Sequence, residues 1–98
     1  MSRPFNCSDV FRAIADPQRR RIIDLLRRRD HTPGELIAAI RLSKTSISHH
    51  LKALRIAGVV EQHRVGRGRR YILNPAALEP ARAWLDRDLP NRRGNAQR

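Results

Sequence analysis

Cysteine, aromatic rings and acid are all scarce in this chain, and each scarcity narrows what it can be. Cys7 is the single cysteine, so no internal disulfide can form, and a reducing, intracellular compartment fits. Phe, Trp and Tyr make up only 4% of 98 residues, so the core must be built of Leu, Ile, Val and Ala. A core of that kind is small for its surface; it supports one domain and often gains stability by dimerising. No apolar run approaches a membrane span, and the opening MSRPFNCSDV has no apolar secretion stretch. The expectation is a cytoplasmic, soluble protein without membrane insertion, in which the sequon Asn6-Cys7-Ser8 is a chance match.

Acid is scarcest in the middle. The chain carries 21 Lys and Arg against 9 Asp and Glu, a formal net charge of +12. Between Glu35 and Glu79 the only acid is Glu61, while Arg41, Lys44, Lys52, Arg55, Arg64, Arg67, Arg69 and Arg70 share that span. Such an excess favours a polyanion, because each phosphate neutralised releases condensed counterions. The bland alternative is a solvated surface that follows an arginine-rich composition, and the uneven placement argues against it.

Helix starts are written clearly. In SDVFRAIA, Val10, Phe11 and Ile14 recur at helical spacing, with Ser8 or Asp9 available as cap. Asp16-Pro17 opens PQRRRIIDLLRRR, which turns Ile22, Ile23, Leu25 and Leu26 inward, and Thr32-Pro33 opens PGELIAAI. Arg41-Leu42 is a tight connection, and Ser43 caps a longer helix from Lys44 to about Ala57, closed by Gly58. Two β-compatible runs, VVEQHR and RRYIL, flank Gly66-Arg67-Gly68 as a hairpin with a basic tip. A last helix follows Asn74-Pro75, with Leu78, Ala81, Trp84 and Leu85 as its stripe; Pro80 can move its effective start, and Pro90 ends it. The order predicts a mainly helical fold with a small hairpin, the winged helix-turn-helix plan α-α-α-α-β-β-α. Residues 1–89 would form one DNA-binding and dimerisation domain, and 90–98 a basic, disordered tail.

The stretch SKTSISHHLKAL carries the most chemistry. At 100° per residue, Ile47, Leu51 and Leu54 share one arc, and Thr45, Ser48, His49 and Lys52 the opposite one. That outer face is polar and free of negative charge, which suits base edges and phosphates in a major groove. Ser43, Lys44, Thr45 and Ser46 sit at the helix start, where free N–H groups favour a phosphate. A hydrolytic reading fails: Ser48 and His49 diverge by about 100° and no strained elbow or third orienting group accompanies them, so no enzyme is expected. Adjacent His49 and His50 also lack the i, i+4 geometry of helical zinc ligands, and no cofactor is expected. His50, about 60° from Ile47, reads as a half-buried side chain bonded to nearby backbone. Arg64, Arg67, Arg69 and Arg70 on the wing are either a solvated tip or a contact to the minor groove and flanking backbone. Arg19 and Arg20 are candidates for backbone contacts only.

The segments FRAIADPQRRRIIDLL, GELIAAI and LSKTSISHHLKALRIAGVVEQHRVGRGRRYIL resemble the ArsR-type winged-helix transcriptional repressors over roughly Val10 to Leu85. Within that family, FRAIADPQRR and SISHHLKALRIAGVVEQHR look most like its metal-independent autorepressor branch. The resemblance implies a homodimer whose first and last helices form the interface, and a palindromic operator in the repressor's own promoter. Independently, Phe5, Val10, Phe11 and Ile14 at one end and Leu78, Ala81, Trp84 and Leu85 at the other are apolar stripes outside the central helices. They are read as the interface, with capping of one monomer's core as the alternative. Metal-sensing members that use the third helix carry a cysteine pair where this chain has ELIAAI. Members that use the last helix place histidine there, and no histidine follows His63. An RNA-binding module, with Tyr71 the only ring near the basic surface, and a protein-interaction domain with an unidentified partner are the rival functions.

Overall fold

In the computed structural model, which describes residues 7–87, capping side chains set the three central helix starts. Asp16 accepts from the N–H groups of Gln18 and Arg19 ahead of α2 (Pro17–Arg28). Thr32 and Glu35 form a reciprocal capping box at α3 (Pro33–Ile40). Ser43 Oγ accepts from Ser46 N ahead of α4 (Lys44–Ile56). The first helix, α1, spans Cys7–Ala15, so Ser8 and Asp9 stand inside it rather than capping it. Either end of that short segment could have started the helix by propensity; the apolar face beginning at Val10 carries no register for the cap.

Between α3 and α4 the turn is Arg41, Leu42 and Ser43. Arg41 takes φ 65°, a left-handed conformation rare for a residue with a Cβ, and its N–H donates to Ile37 O at 2.8 Å. Gly58, at φ 78°, ends α4 as the Cβ-free residue such a turn prefers. The hairpin pairs β1 (Val60–Val65) with β2 (Gly68–Leu73), and Gly66 at φ 60° supplies the positive φ of a primed two-residue turn. A single-residue bridge, His31 to Tyr71, ties the segment ahead of α3 to β2, with N–H···O bonds of 3.1 and 2.8 Å in the two directions. After β2, Pro75–Leu78 form a 3-10 turn and α5 spans Glu79–Leu85, so Pro80 falls in its first turn, where a missing N–H costs nothing.

All five helices meet in one core. Val10, Ile22, Leu36, Ile47, Leu54 and Val59 are fully buried there, one or more from each of α1 to α4 and the loop after α4. Each large side chain removed from water contributes about 1.5–3 kcal/mol. Leu25 packs against this core while remaining partly exposed. The order and the hairpin are those of a winged helix-turn-helix, mostly helical as expected.

Candidate nucleic-acid interface

The inner face of α4 is fixed by Ile47, Leu51 and Leu54, all buried. That leaves Thr45, Ser48, His49 and Lys52 exposed, without a side-chain hydrogen bond among the described residues. Their donors and acceptors are open to a partner. Ser43 and Ser46 differ: Ser43 Oγ donates to Ser46 Oγ at 3.1 Å while accepting from the Ser46 N–H, so both hydroxyls serve the helix cap. Lys44 stands exposed at the same end. Arg55, three residues beyond Lys52, extends the outer row by another cation. It was visible in the sequence as part of the charge count but was not singled out as a contact.

Strand register divides the wing. Arg64 lies directly opposite Arg69, and Gln62 opposite Tyr71, so these four share the face that turns toward the core and α4. Arg70 pairs with His63 on the other face. The Thr32 N–H chiefly, then Arg29 and to a small extent this Arg70 charge, hold the Glu35 carboxyl below its ordinary value. Arg67 occupies the exposed turn. Between α4 and the hairpin runs an open groove of about 780 Å³, lined by Ser48, Lys52 and Arg55 on one wall and Gln62, His63 and Arg69 on the other. The structure therefore brings Ser48, Lys52 and Arg69 together, while Arg70 stands apart from them. Glu61, the one acid of this region, pairs with His63 at 2.9 Å.

Three neighbouring features have other roles than expected. Tyr71 is buried, with its hydroxyl donating to Gln62 Oε1 at 3.1 Å, so its ring is not a platform for stacking bases. Arg19 donates to the carbonyls of Ala13 and Arg12 at 2.8 and 3.0 Å, and Arg20 to those of Ile14 and Ala15. Both guanidiniums thus satisfy the open carbonyl end of α1. His50, in place of a backbone partner, faces a carboxylate: its Nδ1 is 3.8 Å from Asp16 Oδ2. Asp16 itself titrates below its ordinary value, chiefly because the Arg19 N–H bonds its charged form, with Gln18 N and His50 adding to the effect.

The two apolar stripes separate into two groups. Val10 and Ala81 are buried in the chain's own core, and Ile14 and Leu78 pack against it. Phe11, Trp84 and Leu85 are 38%, 50% and 65% exposed, and the Phe11 and Trp84 rings meet edge to face at 6.2 Å. Phe5 and the tail at 90–98 lie outside the described residues. Among the described residues no three His, Cys, Asp or Glu side chains come together in a metal-binding group, and no helix is long and apolar enough to cross a membrane.

Comparison with known proteins agrees with this geometry. The family model described as bacterial regulatory protein, arsR family, matches residues 16–62, which run from the Asp16 cap through α4 into β1. The transcriptional repressor SdpR of Bacillus subtilis is 44% identical over 78 residues, covering 80% of this chain and 87% of that protein. Among solved structures, an ArsR-like transcriptional regulator from Rhodococcus sp. RHA1 superposes with a TM-score of 0.76 at 35% identity, covering 82% of this chain and 73% of that one. The homodimeric winged helix-turn-helix DNA-binding domain of Mb0332 from Mycobacterium bovis gives 0.69 at 28% identity, covering 80% and 74%.

Proposed function

The chain belongs to the ArsR family of bacterial DNA-binding transcriptional regulators, which are not enzymes, and we propose that it acts there as a metal-independent homodimeric repressor of its own promoter. The observation that carries this reading is the outer row of α4. Thr45, Ser48, His49 and Lys52 are exposed and unbonded among the described residues, on a helix anchored from behind by Ile47, Leu51 and Leu54. Hydroxyls and an imidazole suit base edges; Lys52, Lys44 and Arg55 suit the phosphates on either side. Ser43 and Ser46 contribute by holding the helix start. Arg64, Arg67 and Arg69 follow the flanking backbone or the minor groove, and Arg70 takes a lesser part from the opposite face of the wing.

A dimer doubles this surface. Exposed Phe11, Trp84 and Leu85 supply the apolar patch for a second copy, with Ile14 and Leu78 beneath them. That the similar Mb0332 domain is homodimeric supports pairing of two copies here. Two symmetry-related α4 helices then enter successive major grooves about 34–36 Å apart, which calls for a palindromic operator. Occupying that site in the cytoplasm blocks the promoter. Repression follows from occlusion, and likeness to the repressor SdpR supports its direction.

The test is a gel shift with duplex DNA from upstream of the chain's own gene, followed by footprinting. The expected result is a protected palindrome, two protomers per site, and binding unchanged by a chelator. Binding that requires added metal, or equal affinity for a scrambled duplex, would overturn it.

A further inference from the structure

His50 belongs neither to the buried face of α4 nor to its outer row. Its side chain is 15% exposed, and Nδ1 is closed off from solvent with no hydrogen-bond partner among the described residues. A buried polar atom in that state is costly unless charge compensates it. The group it faces is Asp16 Oδ2 at 3.8 Å, the same oxygen that caps α2 through the N–H groups of Gln18 and Arg19. Arg19 in turn grips the end of α1 through Ala13 and Arg12, and α1 carries Phe11, which meets Trp84. His50 is therefore a polar point at which α4 meets the junction that holds the apolar end of the molecule.

We propose that His50 is a positioning residue for DNA recognition: as the imidazolium it pairs with Asp16, and the pair sets α4 against the α1–α2 junction in the pose its outer row needs. This deepens the DNA-binding reading and rests on it. Other charged groups sit on α4 itself and on the elements packed against it. His49, on α4 itself, has its ring centroid 5.9 Å away. Of the elements packed on α4, α1 carries Asp9 and Arg12, and α2 carries Arg19 and Arg20, bound to α1 carbonyls, with Arg21, Asp24, Arg27 and Arg28. On α3, Glu35 is engaged by Thr32 and Arg29; on β1, Glu61 is engaged by His63. The ion pair of His50 is with Asp16. Imidazole changes charge between about pH 5 and 8. Losing the proton removes the pair and leaves Nδ1 unpartnered, so specific binding weakens as pH rises and strengthens as it falls.

The experiment uses a labelled duplex from upstream of the chain's own gene and a scrambled duplex, with fluorescence anisotropy at pH 6, 7 and 8 and constant salt. Taking the ratio of the two affinities removes the general electrostatic gain from protonated histidines. For the unaltered protein that ratio should fall about fivefold from pH 6 to 8, the size of a partly buried ion pair. His50→Gln and Asp16→Asn should each flatten the slope, and the double variant should flatten it no further. Asn keeps the helix cap while removing the charge, so Asp16→Asn carries the test if His50→Gln unfolds. An unchanged slope in either folded variant, or additive effects in the pair, would overturn the proposal. A ratio of one at every pH in the unaltered protein would instead remove the DNA-reading role of α4 itself.

Discussion

The outer row of α4 and the α1–α5 end of the molecule are both left uncovered, yet they are uncovered in opposite chemistries. On α4 the exposed side chains are Thr45, Ser48, His49 and Lys52, with donors and acceptors unused among the described residues. At the other end they are Phe11, Trp84 and Leu85, with carbon surface unused. A monomer in water tolerates the first at no cost and the second only at the expense of hydrophobic stabilisation. The difference teaches which partner each end needs. The polar row needs nothing until a duplex with matching edges arrives, whereas the apolar end is better covered at all times. On the proposed reading, one surface carries specificity and the other carries assembly.

The strongest way to sharpen that contrast is to compare the two faces of α4 itself. Leu54→Ala removes a side chain with no exposure and should cost about 2–5 kcal/mol of stability, read from urea unfolding midpoints. Ser48→Ala on the outer side should change stability by less than about 0.5 kcal/mol. Comparable losses would mean that the outer row is held by the fold rather than kept for a partner. At the opposite end, Trp84→Ala should weaken self-association by about 2 kcal/mol or more, the scale of an aromatic hot spot. Sedimentation at several concentrations checks it; a dimer of unchanged affinity would move the interface elsewhere.

Much of this contrast was legible before any coordinates, and the reasons are local. Asp16-Pro17, Thr32-Pro33, Ser43 and Gly58 announce helix ends because a cap needs only its own neighbours. The two faces of α4 follow from a period of 3.6 residues and nothing else. What failed to show depends on distant partners. The bridge from His31 to Tyr71 is one residue long, too short to create an alternating pattern. Arg19 and Arg20 read as candidates for nucleic-acid backbone contacts, but a long arginine can equally turn back to a helix end, as both do here. Val10 and Ala81 read as interface because spacing marks a face as apolar without saying who covers it; the chain covers them itself. His50 met a carboxylate from another helix junction, which no periodicity encodes.

The wing and α4 offer a further contrast, within the side proposed to face DNA. His49→Ala should lower discrimination between operator and scrambled duplex by about 1–3 kcal/mol, the worth of a base contact. Arg67→Ala should weaken binding to both duplexes alike and lower the salt slope by about 1. Competition titrations at three salt concentrations separate the two. If Arg67→Ala erodes preference while His49→Ala does not, the roles of helix and wing are exchanged.

The smallest effect concerns acid, and it bears on the junction between the two ends. Asp16 and Glu35 both titrate below their ordinary values of 3.8 and 4.5, chiefly because backbone N–H groups of Arg19 and Thr32 bond the charged carboxylates. A carboxyl depressed in the folded state stabilises the fold above its unfolded value, and that contribution disappears as pH falls through the folded value. The contribution of these two carboxylates should therefore be level down to about pH 5 and decline below about 4.5. Asp16→Ala removes one cap and should cost about 1 kcal/mol at pH 7, with a shallower acid limb than the parent. Thermal unfolding from pH 3 to 7 reads both quantities. An acid limb equally steep in Asp16→Ala would show that the cap at the start of α2 is not among the carboxylates that acid releases.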